Sequence, residues 1–202
     1  MLPYLGELDD VASLLQPGRS ALELGCGTGR LAAELHRLGL RVSGVDDSAD
    51  MLALLPHCIE PIESSIQMLR LNRAFDIVLL ASNLINHPEQ DTRRLFAECA
   101  RRHLDPGGRF LVQRHNPEWL ATAEPGPVGH AGPILLTVEH VSRHATLVEM
   151  RLRYEASGQS WQQSFSAATL HEQDIEDVLL QAGFDGISWH GSARLWASAI
   201  AR

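Results

Sequence analysis

The 202-residue chain has only three cysteines, Cys26, Cys58 and Cys99, and no two of them form a CxxC pair. This pattern fits neither a disulfide framework nor a cysteine-rich zinc site, and it agrees with a reducing compartment. No apolar run reaches the length of a membrane span, and residues 1–10 lack the basic stretch and apolar core of a signal peptide. We therefore expect a cytoplasmic protein without a membrane partner.

Positive charge is scarce as well. Lysine and arginine together number 17 against 25 aspartates and glutamates, which gives a formal net charge of -8. Such a balance disfavours binding to a phosphate backbone, so nucleic acid is not an expected partner. The composition, 45% hydrophobic and 21% charged, is that of an ordinary globular protein. We expect residues 1–202 to form one domain of unknown oligomeric state.

The first half of the chain alternates between strand and helix patterns. Predicted strands cover residues 20–24, 40–46, 75–82 and 109–113, and helical periodicity follows most of them. A short helix over residues 7–15 precedes the first strand, and Ser48 is a candidate helix cap. The nearly continuous apolar run of residues 75–82 is typical of a central parallel strand. The alternation predicts a doubly wound α/β sheet.

The alternation of strand and helix patterns ends after residue 115. Residues 116–133 contain four prolines and three glycines, which predicts a long loop or lid. Short strands are then expected at residues 134–141, 145–155 and 160–166, followed by a helix at 171–182 and two last strands at 184–190 and 194–200. We interpret residues 116–166 as a small antiparallel insertion after the fifth strand, in a core of residues 18–115 and 167–202.

A glycine loop, residues 25–29 (GCGTG), joins the first strand to the first helix. Glycine permits positive φ and close approach of the backbone to a ligand, and free N–H groups at a helix start favour an anionic or polar ligand. A dinucleotide fingerprint would need glycine at position 30, where the chain has Arg30. A phosphate-binding Walker loop is also missing, because no Gly-Lys-Ser/Thr follows.

Residues 23–29 (ELGCGTG) and 44–52 (GVDDSADML) resemble the class I S-adenosylmethionine-dependent methyltransferases. The resemblance extends through residues 75–78 (FDIV) and 104–112 (LDPGGRFLV), and so covers most of residues 20–113. It implies a seven-stranded Rossmann-like sheet and S-adenosylmethionine as cofactor.

The resemblance also implies roles for individual residues. Gly25, Cys26 and Gly27 would lie near the methionine part of the cofactor, with Glu23 on its amino side. Asp46 would accept hydrogen bonds from both ribose hydroxyls, which suits a carboxylate. The remaining residues predicted around the cofactor are Gly29, Asp47, Met51, Ser65, Ile66 and Ala81, with Glu63 as an alternative to Ser65 at the adenine.

The reacting centre is expected beyond the carboxyl ends of the fourth and fifth strands. His115 is the preferred candidate for a general base and His87 the second, because imidazole titrates near neutral pH. Candidate substrate contacts are Tyr4, Asn83, Arg114 and Trp119. No metal site is expected, since a hairpin does not bring His140 and His144 together.

The favoured function is methyl transfer to a hydroxyl or amine of a small molecule. The segment after the fourth strand reads ASNL, not the Asn/Asp-Pro-Pro-aromatic motif that the resemblance would imply for a DNA amino-methyltransferase. Three alternatives stay open: an enzyme that uses the cofactor without methylating, for example by cyclising its aminobutyrate part; a non-catalytic cofactor-binding partner subunit; and a nicotinamide oxidoreductase.

Overall fold

The structure, a computed structural model, describes residues 3–202. These residues form eleven strands: β1 (Ser20–Leu24), β2 (Arg41–Asp46), β3 (Glu60–Glu63), β4 (Phe75–Leu80), β5 (Leu104–Gln113), β6 (Gly126–Ala131), β7 (Ile134–His144), β8 (Leu147–Ala156), β9 (Gln159–Ala168), β10 (Phe184–His190) and β11 (Trp196–Ala201). The α-helices are α1 (Arg30–Arg37), α2 (Ala49–Leu52), α3 (Gln90–Arg102), α4 (Pro117–Thr122) and α5 (Glu172–Gln181). Two 3₁₀ helices, Asp9–Leu14 and Leu84–Asn86, complete the secondary structure.

Seven strands form the main sheet in the order β10-β11-β5-β4-β1-β2-β3. The pairs from β5 to β3 are parallel, and β11 runs antiparallel to both of its neighbours. The predicted doubly wound α/β sheet is therefore confirmed. β4 is its central strand, and Val78, Leu79 and Leu80 are fully buried, because both faces of this strand are covered.

Local sequence signals account for the helices that follow β1 and β2. Gly29 precedes α1 in a left-handed conformation with φ of 82°, and α1 buries Leu31 and Leu35 against the sheet. The Ser48 hydroxyl accepts a hydrogen bond from the backbone N–H of Met51 at 3.3 Å, as the predicted cap requires. The predicted first helix is shorter than expected and is one of the 3₁₀ helices.

A second, antiparallel sheet has the order β6-β7-β8-β9. The prediction of a long loop over residues 116–133 is wrong, since this segment contains α4 and β6. Pro117 occupies the start of α4, where its missing N–H costs nothing, and the Asn116 side chain caps the helix. β6 is an edge strand, and edge strands tolerate proline and glycine.

Three apolar cores hold the layers together. Two lie on opposite faces of the main sheet, and a third joins α4 to the second sheet through residues such as Leu120, Val138 and Met150. None of the helices within residues 3–202 combines the length and apolarity that a membrane span needs.

Candidate active site

A cleft of about 880 Å³ lies between the glycine loop, the ends of β4 and β5, and the inner face of β8 and β9. The second sheet thus roofs the carboxyl edge of the main sheet, where open α/β sheets bind ligands. Nine of the predicted site residues line this cleft: Glu23, Gly25, Cys26, Gly27, Met51, Asn83, His87, His115 and Trp119.

The glycine loop needs its glycines for two different reasons. Gly25 and Gly27 have φ of 71° and 54°, which L side chains rarely adopt. A Cβ on Gly25 would collide with the Leu84 side chain, whereas a Cβ on Gly27 would find nothing within 4 Å. Both positions therefore favour glycine for their φ, and Gly27 also leaves its space open for a ligand close to the backbone.

Asp46 holds the glycine loop from the end of β2. Its Oδ2 accepts a hydrogen bond from the backbone N–H of Gly27 at 2.8 Å, and its Oδ1 accepts one from Ser48 at 3.1 Å. A carboxylate has about four lone-pair sites, so both oxygens can accept further hydrogen bonds. The residue predicted for the ribose is thus also a support of the loop.

Glu23 is a buried carboxyl group, 2% exposed, at the floor of the cleft. Burial raises its pKa to about 8, a backbone hydrogen bond from Ala32 opposes the shift, and the charge of Asp46 adds to it. Its Oε2 has no hydrogen-bond partner within residues 3–202. A cationic or N–H-bearing ligand group would satisfy this oxygen.

Cys26 carries a protonated thiol. Burial, followed by the charges of Glu23 and Asp46, raises its pKa to about 12. Its backbone N–H donates to the carbonyl of Val45 at 2.8 Å, which fixes the loop against β2. The residue therefore shapes the cleft and is not a nucleophile.

The side of the cleft predicted to bind adenosine is more open. Met51 is 46% exposed and lines the cleft, and Asp47 is exposed beside it in sequence. β3 ends at Glu63, and the N–H of Ser64 donates to the carbonyl of Asp46 at 3.0 Å. Ser65 and Ile66 thus follow the strand at the same edge of the sheet.

Six of the predicted cofactor residues do not line the cleft directly: Gly29, Asp46, Asp47, Ser65, Ile66 and Ala81. Ser65 and Asp46 are half-buried and Asp47 is exposed, whereas Ile66 and Ala81 are buried. Gly29 precedes α1 outside the cleft lining.

The His115 ring stacks with the rings of Trp119 and Phe165 in the lining of the cleft. Its ring centroid lies 5.9 Å from that of Trp119 and 5.5 Å from that of Phe165, with interplanar angles of 24° and 12°. Burial lowers the pKa of His115 to about 4, because the charged imidazolium is poorly solvated there. The expectation of a base titrating near neutral pH is corrected: the ring is neutral in that range and holds a proton weakly.

His87 lies near the same end of the cleft. Its Nδ1 accepts a hydrogen bond from the backbone N–H of Glu89 at 3.2 Å, so the neutral ring carries its proton on Nε2. Its ring also packs edge-on against Phe96. In this tautomer His87 offers a donor at Nε2.

The turn after β4 is strained. Ser82 and Asn83 both have positive φ, 53° and 60°, which is uncommon for consecutive residues other than glycine. The Ser82 N–H donates to Oε1 of Gln113 at 3.0 Å, which ties the turn to the end of β5. Asn83 thereby faces the cleft.

Two predicted substrate residues lie elsewhere. Arg114 is 5% exposed, and its guanidinium donates to the carbonyls of Arg194 and Leu170 and packs over the Trp189 ring. Because those contacts use its donors, Arg114 holds β5 to the C-terminal part of the chain and does not reach the cleft. The Tyr4 hydroxyl donates to Asp9 and accepts from the N–H of Leu8, also outside the cleft lining.

Fifteen lining residues were not among the predicted site residues, including Glu7, Arg30, Gln113, Tyr154, Gln163 and Phe165. The last three lie on the inner face of the second sheet, and the Tyr154 hydroxyl donates to Gln163 Oε1 at 2.9 Å. Alternation along β8, where Leu152 and Tyr154 are buried, was the available signal. Nothing in the sequence showed which apolar face would meet the cleft.

Comparison with known proteins supports this fold. Residues 21–108 match the family described as "Methyltransferase domain". Cypemycin N-terminal methyltransferase of a Streptomyces species is 32% identical over 106 residues, which are 50% of this chain and 43% of that protein. Ubiquinone biosynthesis O-methyltransferase of Bradyrhizobium sp. (strain ORS 278) is 34% identical over 113 residues, 52% of this chain and 44% of that protein. The chain spans less than half the length of these curated relatives.

Among solved structures, the chain is similar to CalS10, an amino pentose methyltransferase from Micromonospora echinaspora whose structure contains bound S-adenosylmethionine. The TM-score is 0.78 at 19% identity, over 97% of this chain and 90% of that one. The whole chain therefore has the fold of the class I S-adenosylmethionine-dependent methyltransferases, and its residues 21–108 are similar to the methyltransferase-domain family.

Proposed function

We propose that this protein transfers a methyl group from S-adenosylmethionine to a small molecule, with an amine as the preferred acceptor and a hydroxyl as the alternative. The observation that carries the proposal is the shared cleft, which joins the glycine loop to an acceptor end under the second sheet. A volume of about 880 Å³ suits a nucleoside-sized cofactor together with a small acceptor.

The residues present suit this cofactor. Gly27 leaves room beside the backbone, and Glu23 offers an unpartnered carboxyl oxygen to an α-ammonium group. Asp46 keeps lone pairs for two ribose hydroxyls, and Met51 offers a soft apolar surface to the adenine ring. Ser65 and Ile66 are proposed to border the adenine from the end of β3, with Asp47 and Ala81 near the adenosine.

When bound, S-adenosylmethionine supplies an electrophilic methyl group on a sulfonium centre. The chain's own task is then to hold a nucleophile in line with that methyl group and to exclude water. The acceptor end is lined by neutral polar and aromatic side chains, including Asn83, Gln113, Trp119 and Gln163. These groups orient an acceptor by hydrogen bonds and ring contacts.

The two histidines explain the preference for an amine. His115 binds a proton too weakly to store one near neutral pH, and His87 presents a donor at Nε2. A hydroxyl acceptor needs a base to become nucleophilic, whereas an amine that has lost its proton to solvent already carries a lone pair. We propose that both histidines position the acceptor. By their printed names, CalS10 is an amino pentose methyltransferase and the cypemycin protein an N-terminal methyltransferase, whereas the ubiquinone biosynthesis protein is an O-methyltransferase.

Ligand binding provides the first test. A ligand of the native state at 100 times its Kd adds about 2.7 kcal/mol of stability, so S-adenosylhomocysteine should raise the melting temperature while NAD should not. Incubation with S-adenosylmethionine and matched pairs of amines and alcohols should then give methylated amines by mass spectrometry. A shift with NAD alone, or cofactor breakdown to a cyclised aminobutyrate product without methylation of any acceptor, contradicts the proposal.

A further inference from the structure

The edge strands of the two sheets formed by residues 3–202 differ in how well they are protected from pairing with another strand. The main sheet ends in β3 and β10, and the second sheet ends in β6 and β9. β3 is only four residues long and contains two glutamates and a proline. β6 and β10 contain glycine, and the pairing of each is interrupted by a bulge or irregularity. Charge, proline and bulges all hinder the addition of a strand, so these three edges are blocked.

β9 has none of this protection. Its ten residues, QSWQQSFSAA, include no charged residue, no proline and no glycine, and its pairing with β8 runs without a bulge from Gln159 to Ala168. Residues 159–164 and 166 are exposed, and the large apolar side chain of Trp161 is 40% exposed. β9 is thus a long, regular and uncharged edge, which is the kind of edge that pairs with another strand.

Every second residue of β9 directs its backbone away from β8. The two-residue turn of Ser157 and Gly158, with φ of 51° and 76°, makes Ala156 and Gln159 a hydrogen-bonded pair. Bonded and non-bonded pairs alternate along an antiparallel ladder, so the N–H and C=O groups that face outward belong to Ser160, Gln162, Ser164 and Ser166. These outward groups have no backbone partner among the described residues. They offer a complete ladder to an added strand.

The sequence of β9 is nearly symmetric about Gln163. Residues 160–166 read SWQQSFS, so two antiparallel copies centred on Gln163 place serine opposite serine and Trp161 opposite the partner's Phe165. In this register the two aromatic residues form a non-hydrogen-bonded pair, in which side chains approach closely, and aromatic pairs across strands are stabilising. The chain also carries a net charge of -8, so two copies repel each other least along an uncharged strip. A second copy of the same strand therefore matches this edge.

We propose that two copies of this chain form a dimer by antiparallel pairing of β9 with the same strand of the partner, centred on Gln163. The pairing joins two four-stranded sheets into one continuous sheet. Phe165 lines the cleft and stacks on His115, so the partner's Trp161 extends the aromatic lining of the acceptor end. This contribution to the acceptor end rests on the proposed function, whereas the dimer itself does not.

The molar mass of the full chain in solution is the first test. Size-exclusion chromatography with light scattering at micromolar concentrations should give twice the 22.2 kDa of one chain. Ser164→Pro removes an outward N–H that β8 does not use, so it should give a folded monomer. The matched control is Val128→Pro, at the bulge of the blocked edge β6, which should remain a dimer. A wild-type protein that is monomeric throughout this range overturns the proposal, and this result needs no variant.

Disulfide cross-linking tests the register, in a chain whose exposed Cys58 is replaced by serine. Gln163→Cys brings two thiols together at the two-fold axis, with Cα atoms about 4.5 Å apart, so mild oxidation should give a covalent dimer. Ser160→Cys is the control, because its two copies lie about 20 Å apart in the same register and should not cross-link. A dimeric protein in which Gln163→Cys does not cross-link overturns pairing through β9.

The contribution of the partner's Trp161 is tested with the monomeric Ser164→Pro protein. Calorimetric titration should give a Kd for S-adenosylhomocysteine within about twofold of wild type, since the glycine loop is remote from β9 in the fold. The KM for an amine acceptor should rise about two- to tenfold, as for the loss of one aromatic contact. A monomer with the KM of wild type overturns this contribution. Failure of the wild-type dimer to bind S-adenosylhomocysteine overturns the proposed function and leaves the dimer standing.

Discussion

The backbone N–H of His115 donates a hydrogen bond to the side-chain oxygen of Asn86 at 2.8 Å. The amide nitrogen of the same Asn86 side chain donates to the carbonyl of Ala168, also at 2.8 Å. One buried amide therefore joins three segments: the turn after β4, the end of β5 and the last residue of β9. This link holds the second sheet over the carboxyl edge of the main sheet.

Replacement of Asn86 by alanine should loosen that link. The change leaves a buried N–H and a buried carbonyl without partners, at a cost of about 1–3 kcal/mol each. We expect the free energy of unfolding in urea to fall by about 2–4 kcal/mol. Asn72→Ala, at an exposed position, is the control and should stay within about 0.5 kcal/mol of wild type. Equal stabilities of the two variants would show that the link contributes nothing.

Glu23 should make the ligand-free protein less stable as the pH rises. Its pKa is raised from 4.5 to about 8 by burial, so the folded state binds the proton more tightly than the unfolded state does. This contribution is fully present below pH 4.5 and is lost as the pH rises to about 8. Glu23→Gln removes the titration and keeps an acceptor for the Ala32 N–H.

We therefore expect Glu23→Gln to raise the melting temperature by several degrees at about pH 8.5 and to have a smaller effect at about pH 5. The control is Glu124→Gln, which changes an exposed carboxyl outside the cleft. A Glu23→Gln protein that is equally destabilised at both pH values would contradict a buried, protonated carboxyl group.

The sequence predicted the main sheet well because its signals are local. Three sequence patterns predict the conformation of the residues that form them: the glycine loop, the Ser48 cap and the apolar run of β4. The structure agrees with all three. β6 and α4 were missed, since the number of prolines and glycines in residues 116–133 predicted a loop. β6 can include these residues because it is an edge strand, paired only with β7.

The candidate site could also be predicted in part, because some of its residues follow from local sequence signals. Residues next to a strand end, such as Glu23 and His115, follow from the order of strands. The burial that shifts their pKa values comes from distant segments, for example Phe165 stacked on His115. Arg114 was misplaced because no local signal shows that Leu170 and Arg194 would take its donors.

Asp46 should contribute to cofactor binding through the ribose and through the loop. Asp46→Ala leaves two ribose hydroxyls without an acceptor and frees the N–H of Gly27, so the Kd for S-adenosylhomocysteine should rise well over tenfold. Asp46→Asn keeps one acceptor oxygen and should fall between the alanine variant and wild type. Asp50→Ala, exposed in α2, serves as the control in the same calorimetric titration. Unchanged affinity in Asp46→Ala would remove Asp46 from the cofactor site.

His115 should act by position and not by titration. Its ring is neutral above its pKa of about 4, so it gives no change of protonation between about pH 5.5 and 8. His115→Phe keeps a ring between Trp119 and Phe165 and removes both nitrogens, whereas His115→Ala also removes the stack. With an amine acceptor found by the mass-spectrometric screen, we expect His115→Phe to lower turnover by about tenfold, the loss of one hydrogen bond, and His115→Ala to lower it further.

The pH dependence separates this role from general-base catalysis. If His115 only positions the acceptor, the ratio of wild-type to His115→Phe turnover is constant between about pH 5.5 and 8, because neither ring changes charge in that range. A titrating base would instead give the wild-type profile a limb near pH 6.5 that is missing from the phenylalanine variant. Cofactor affinity, measured in parallel, should be unchanged in both variants, since His115 lies at the acceptor end of the cleft. If the wild-type profile has a limb near pH 6.5 that the His115→Phe profile lacks, His115 acts as a base. A hydroxyl acceptor would then be as favourable as an amine.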